Sequence, residues 1–374
     1  MKCVLIIYKF FARGGAQRDL VRTAEALLRR GVQPLVLCAE IIDPLPEGCQ
    51  SVILPVSGSG NHSRMRSFER AVGKYLQENP ADAVLGFARM KHLDLYFAAD
   101  DCLLTRWCNK FLNKLLPRRR TFLALEKSAL QSPVVLSLTA RQERDYQYFY
   151  PVKKDSFHRM PPGIDRKYQT FHHQAELRKK VCSEFGIDEN KFIIVQAAAS
   201  FRTKGVDRTL SIINALPENL KKQVAFIAAG DDRRREKYRR LAEMLKLDAH
   251  FPGGSDKLEE LYAAADLMIH PARNEATGTV LVEALCSRLP VLTTRLCGYA
   301  EFTEASGGGV VLPEPFKPDH WVLALKKLLN EPEHLQQCKR NISDMYKNDF
   351  WYSRPDVMAE EMINFARQKK EAKL

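Results

Sequence analysis

Nowhere in its 374 residues does the chain approach the roughly 20 consecutive apolar residues of a bilayer-crossing helix, so an integral membrane protein is not expected. No Cys-x-x-Cys pair occurs, and the nine cysteines are scattered and odd in number. Neither a zinc site nor a disulfide framework is expected, and a reducing cytoplasm fits best. Low-complexity blocks are missing, the C-terminal Lys-Lys-Glu-Ala-Lys-Leu carries no prenylation motif, and Cys3–Tyr8 is too short for a signal-peptide core. Acidic residues are also short: 45 against 58 basic ones leave a net charge of +13. Such an excess calls for an anionic partner, whether nucleic acid, an acidic membrane surface or a phosphorylated substrate.

What the chain does have is alternation. Short apolar runs at Cys3–Tyr8, Pro34–Ala39, Val52–Val56, Ala83–Phe87, Leu95–Ala99 and Val134–Leu138 read as buried strands, with helical spacing between them. Between the first two, Ala16, Leu20, Ala24, Leu27 and Leu28 mark a helix over 14–30, ended by Gly31. The pattern repeats at Phe192–Ala199, Val224–Ala229, Leu267–His270, Val291–Thr294 and Val310–Leu312. An α/β protein with two doubly wound, Rossmann-like domains is expected, their ligands bound at the carboxyl ends of the strands in a cleft between the halves. Pro161-Pro162-Gly163 is the natural boundary, giving domains 1–162 and 163–345, with a helical, basic segment 346–374 packing back on the first.

The stretch from His270 to Pro290 organises the second half. After the strand Leu267–His270 comes a turn, then a helix expected to open near Thr277. Glu275 and Glu283 stand eight positions apart, with Ala276, Thr277, Gly278, Thr279 and Val280 after the first. Gly278 admits a ligand close to the backbone, and first-turn N–H groups attract phosphate. Thr279 and Glu283 share a helical face, so one carboxylate can hold a ribose diol and the other a sugar hydroxyl, with a diphosphate between. Two such glutamates also fit a plain helix, one balancing the dipole and one solvated. The rest of the chain decides between these.

Ser200-Phe201-Arg202-Thr203-Lys204-Gly205 follows a strand and precedes a helix, which places Lys204 where a diphosphate would lie. Arg166, just past the boundary, is a second phosphate candidate. Gly14-Gly15 turns from the first strand into the first helix without a full dinucleotide fingerprint. Gly230-Asp231-Asp232 reads as a turn in which the glycine lines a base pocket and both aspartates are solvated.

Together with Tyr8-Lys9-Phe10-Phe11, Gln17-Arg18-Asp19, Tyr96-Phe97-Ala98-Ala99-Asp100, Pro161-Pro162-Gly163-Ile164, Lys204-Gly205-Val206-Asp207-Arg208 and Cys297-Gly298-Tyr299-Ala300, this pattern resembles the family 4 retaining glycosyltransferases of GT-B architecture. Among these it is most similar to the glucosyltransferases of the Gram-negative lipopolysaccharide core. The resemblance spans nearly the whole chain. It implies UDP-glucose as donor, retention at the anomeric carbon and a lipid-linked core oligosaccharide as acceptor, glucose passing to an inner-core heptose. It also implies that Glu283 holds the ribose and Glu275 the transferred sugar. Ala276, Thr277, Gly278, Thr279 and Val280 would then frame the phosphates with Lys204 and Arg166. Gly15 would approach the diphosphate, and Asp19 and Asp100 are acceptor-side catalytic candidates alongside Lys204 and Glu275. The loop before Lys204 displaces Arg202 from the family's arginine position. No Asp-x-Asp pair occurs, so no bound metal and no other cofactor is expected.

A second signal lies at residues 102–131, with seven basic residues and one acid, Glu126. Leu103, Trp107, Phe111 and Leu115 form one helical row and Leu104, Cys108, Leu112 and Leu116 the next, opposite Arg106, Lys110 and Lys114. Pro117 ends the pattern and Arg118-Arg119-Arg120 follows. A basic amphipathic helix with aromatic anchors suits an anionic lipid surface, here the inner face of the inner membrane, although a core-facing helix has the same spacing. No nucleic-acid-binding motif accompanies it. The alternatives are another UDP-sugar, another lipid-linked acceptor, or a non-catalytic anion- or RNA-binding protein.

Overall fold

The computed structural model describes residues 1–11, 14–107, 116–169 and 173–372. The chain divides into two compact units, Met1–Gly163 with Tyr352–Leu374, and Ile164–Trp351.

Along the first unit run β1 (Cys3–Ile6), β2 (Lys9–Phe10), β3 (Pro34–Cys38), β4 (Glu40–Ile41), β5 (Gln50–Ile53), β6 (Ala83–Gly86), β7 (Leu95–Phe97), β8 (Val134–Ser137) and β9 (Phe157–Arg159). Seven of them form one sheet in the order β5-β3-β1-β6-β7-β8-β9, and β2 pairs with β4. Every pairing in the large sheet is parallel; Cys3 stands opposite both Pro34 and Ala83. The inner strands are buried along their whole length, which is why they read as unbroken apolar runs. Leu20, Ala24 and Leu27 of the helix Gly15–Arg29 pack into the same core as Met358, Met362 and Ile363 of the C-terminal helix Arg354–Glu371. Each buried Leu, Met or Ile among these stabilises the unit by about 1.5–3 kcal/mol.

The second unit holds β10 (Phe192–Ala197), β11 (Val224–Ala229), β12 (Ala249–Gly253), β13 (Leu267–His270), β14 (Val291–Thr294) and β15 (Gly309–Leu312). Their order is β12-β11-β10-β13-β14-β15, again parallel throughout. The connections reverse direction at β10, so the crevice beyond the carboxyl ends of β10 and β13 is the topological switch point.

Several local expectations change. Pro117 does not merely end a helix; it opens the helix Pro117–Ala129 at a position where its missing N–H costs nothing. Before it, Leu103–Trp107 is helical, and the rest of the expected basic helix, residues 108–115, lies outside the described residues. The helix after Glu275 begins at Thr279 rather than Thr277, because Gly278 takes the left-handed conformation and caps it. No helix among the described residues is long and apolar enough to cross a membrane.

Candidate active site

The switch point of the second unit is built by two loops, one after β10 and one after β13. Gly205 ends the short helix Phe201–Lys204 at φ +78°, a conformation that only glycine adopts without strain. A Cβ there would come within 2.2 Å of the Pro271 carbonyl, so the two loops touch backbone to side-chain-free backbone. Arg273 then joins them: its amide donates to the Thr203 carbonyl (2.8 Å), its guanidinium to the Arg202 carbonyl (2.9 Å), and both terminal nitrogens to Asp207 at 2.7 Å. Arg208 donates back to the Pro271 and Ala272 carbonyls, each at 3.2 Å. Gln196, inside β10, donates to the Lys204 carbonyl at 2.7 Å and fixes the base of the lysine.

This framework brings Lys204 and Glu275 together across 71 positions of sequence: Lys204 Nζ donates to Glu275 Oε2 at 2.5 Å. His270, the last residue of β13 and fully buried, places Nε2 3.1 Å from the same oxygen. Burial pushes the Glu275 carboxyl up, but the hydrogen bonds from His270 and Lys204 and the positive charge beside it prevail and hold it at about 2. Glu275 is therefore ionised, with two donors on one oxygen.

Glu283 sits one turn beyond Thr279 on the helix Thr279–Cys286 and is only 7% exposed. The Tyr262 hydroxyl lies 3.5 Å from its Oε2. Burial, followed by the Glu283 charge, pushes the Tyr262 hydroxyl well above its usual range, so tyrosine remains the donor. Ala276, Thr277, Gly278, Thr279 and Val280 line the run between the two glutamates, and the Thr277 carbonyl is taken by the Tyr299 N–H at 2.6 Å.

Asp232 is not the solvated residue expected from its turn. Its two oxygens accept from the Phe201 and Arg234 amides, each at 2.7 Å, so it caps the helix that carries Lys204. Arg202 is exposed, and Arg166 pairs on the surface with Asp349 at 2.5 Å.

In the first unit, Asp19 is held by Arg354 of the C-terminal helix, with Nη1 3.2 and 3.1 Å from its two oxygens, while Arg354 Nε donates to the Pro161 carbonyl. Asp100 follows β7 with its side chain 61% exposed, and Arg89 Nη1 reaches it at 3.2 Å. Arg89 Nε also pairs with Glu126, which is fully buried and accepts from the Leu103 N–H (3.1 Å) and the Tyr150 hydroxyl (2.6 Å). A Cβ on Gly15 would meet nothing within 4 Å, so packing among the described residues does not demand glycine there. His270, Tyr262, Arg273 and Arg89 were not singled out from sequence. Only His270 left a trace, as a polar residue closing an apolar strand just before proline.

Residues 178–345 match the family of glycosyl transferases group 1. Over 364 residues, 95% of this chain and 96% of the relative, the sequence is 35% identical to the lipopolysaccharide glucosyltransferase WaaG of Escherichia coli. The chain belongs to the group 1 glycosyltransferases. Its structure agrees: a crystal structure of WaaG, a glycosyltransferase involved in lipopolysaccharide biosynthesis, superposes with a TM-score of 0.86 at 34% identity, covering 96% of this chain and 99% of that one. Sucrose-phosphate synthase from Thermosynechococcus elongatus shares the fold over the full length of both chains, with a TM-score of 0.77 at 17% identity. Two parallel α/β sheets of seven and six strands give this group 1 glycosyltransferase the GT-B fold anticipated from its sequence pattern. Part of the family match is shorter in reach: an α-galactosylglucosyldiacylglycerol synthase of Streptococcus pneumoniae is 29% identical over 45% of each chain.

Proposed function

We propose that the chain transfers glucose from UDP-glucose to an inner-core heptose of lipopolysaccharide, with retention at the anomeric carbon. The observation that carries this reading is the Lys204–Glu275 pair at the switch point, in a chain similar over nearly its whole length to a lipopolysaccharide glucosyltransferase. Glu283, buried and one turn into its helix, holds the ribose diol. Glu275 accepts from a hydroxyl of the transferred sugar. Lys204 and the backbone from Ala276 to Val280 hold the diphosphate, with Gly15 on the donor side as well. Arg166 already has a carboxylate partner and is the weaker phosphate contact.

Rupture of the bond from the anomeric carbon to the phosphate oxygen sends its electron pair to the diphosphate. The Lys204 ammonium and the helix-start N–H groups stabilise that charge as it develops. The acceptor hydroxyl bonds to the same face of the anomeric carbon, and its proton passes to the departing phosphate. Asp100, exposed and oriented by Arg89, is proposed to position the acceptor. Asp19, bound at both oxygens by Arg354, orders the start of the first helix beside it. No metal is needed for this charge balance.

Residues 102–131 are proposed to hold the protein on the cytoplasmic face of an anionic inner membrane. The only acid in this segment, Glu126, is fully buried, whereas Arg106, Arg118, Arg120 and Lys127 are exposed, which supports the reading. The test is a panel of UDP-sugars offered with core lipid lacking its first glucose. Turnover with UDP-glucose is expected. Turnover with a different UDP-sugar would move the assignment to that donor, and no donor turnover at all would favour a non-catalytic anion-binding protein.

A further inference from the structure

Two donors converge on one oxygen of Glu275, and they differ in kind. Lys204 Nζ sits at the end of a flexible stem on a four-residue helix, with 23% of its side chain exposed. His270 belongs to β13, stands in register opposite Thr293, and is fully buried. Its carbonyl accepts from the Thr293 hydroxyl at 3.2 Å, so its backbone is fastened to the sheet on the side of β14. Its Nδ1 is buried without a hydrogen-bond partner among the described residues. A ring protonated on Nδ1 alone would bury a donor with no acceptor among the described residues, so Nε2, the nitrogen facing Glu275, carries a proton. One partner of the carboxylate is thus free to swing, and the other is locked.

A donor diphosphate competes directly for the Lys204 ammonium, since phosphate oxygens and the Glu275 carboxylate ask for the same donor. When the lysine turns to phosphate, Glu275 must keep its place to meet a sugar hydroxyl. We propose that His270 is a positioning residue of the donor site: its Nε2–H holds the Glu275 carboxylate while Lys204 exchanges from that carboxylate to the diphosphate. The proposal rests on the donor reading given above. It assigns His270 to recognition of the sugar and not of the UDP moiety, because Glu275 is the sugar-side carboxylate and Glu283 the ribose-side one.

The test compares His270→Leu, His270→Asn and His270→Gln in the full-length protein. The glutamine amide nitrogen reaches about as far as Nε2, whereas asparagine stops near Nδ1 and leucine has no donor. Calorimetry with UDP and with UDP-glucose, alongside kcat and KM for transfer, gives the readouts. His270→Leu and His270→Asn are expected to bind UDP as the wild type does but to lose the extra affinity for UDP-glucose, by about tenfold or more, together with kcat. His270→Gln is expected to recover most of that loss. Thermal melts identify any variant that fails to fold, and the glutamine variant then carries the comparison alone. If His270→Gln folds yet is no better than His270→Asn, or if His270→Leu keeps the wild-type preference for UDP-glucose, the positioning role is wrong. If the wild type itself binds neither UDP nor UDP-glucose, the donor reading has failed and the role of His270 with it.

Discussion

Gly205 lies so close to Pro271 that no side chain fits between them: an added Cβ would stand 2.2 Å from the Pro271 carbonyl oxygen. That approach, with the hydrogen bonds of Arg273 and Arg208, joins the loop carrying Lys204 to the loop carrying Glu275. Gly205→Ala should therefore act twice, through a left-handed backbone that disfavours alanine by about 1–2 kcal/mol and through a clash that parts the loops. Urea unfolding should show the loss of stability and calorimetry a weakened affinity for UDP. An alanine variant with wild-type UDP binding would mean the loops do not need this contact.

The two halves of the site should separate in kinetics. Glu283→Ala removes the proposed ribose contact, which would be present before, during and after reaction, so it should chiefly weaken UDP binding. Lys204→Ala removes charge that matters most as the phosphate departs, so kcat should fall by about 100-fold or more. Near-normal turnover in Lys204→Ala would take the phosphate away from this lysine.

Glu275 gives the site a pH signature. Its carboxyl is held at about 2 against 4.5 in an unfolded chain. A depressed carboxylate contributes stability that is fully present above 4.5 and is lost as pH falls toward 2, here about 3 kcal/mol in all. The difference in unfolding free energy between wild type and Glu275→Gln, followed from neutral pH down to about pH 3, should shrink as the pH drops below the unfolded value. A difference that stays constant across that range would show that His270 and Lys204 do not hold the carboxylate.

Much of this was legible in the residues themselves. β11, β13 and β14 begin and end where they are read from sequence, since each is buried along its whole length and its apolar residues run unbroken from the start. Two edge strands, β9 and β12, escaped notice, whereas the edges β5 and β15 are read at Val52–Val56 and Val310–Leu312. β9 is Phe-His-Arg and β12 contains a proline, because an edge tolerates polar side chains and a missing N–H. Lys204 and Glu275 are read from their positions after strands, and Glu283 from its place one turn beyond Thr279 on a helix. Arg273 and Asp232 are not, because each acts on a partner distant in sequence; His270 stands only five positions before Glu275, but spacing alone does not show its ring turned to that carboxylate. Asp232 in particular looks like any aspartate in a turn until the Phe201 amide is found against it.

Transfer should survive chelation. In the proposed donor site Lys204 and backbone N–H groups supply the positive charge at the diphosphate, and the sequence holds no Asp-x-Asp pair. Activity in EDTA should match that in its absence. Loss of transfer that Mg²⁺ or Mn²⁺ restores would contradict this charge balance.

Membrane capture should be separable from catalysis. Replacing Arg118, Arg119 and Arg120 with Ser should release the protein from anionic vesicles, at about 1 kcal/mol per charge, and leave UDP binding intact. Arg119 also stacks over the Trp107 ring at 4.8 Å, so part of its effect is packing. Replacing Trp107 and Phe111 with Ser should weaken binding with less dependence on salt. Co-sedimentation at low and high salt measures both; unaltered vesicle binding in both variants would end the membrane assignment.

Glu126 has one more consequence. It sits in the helix Pro117–Ala129 yet receives the N–H of Leu103, so a single carboxylate staples the two ends of the basic stretch. Arg89 and Tyr150 close on the same carboxylate, so losing it would release the Leu103 amide and uncouple the helix Pro117–Ala129 from the start of the stretch in one step.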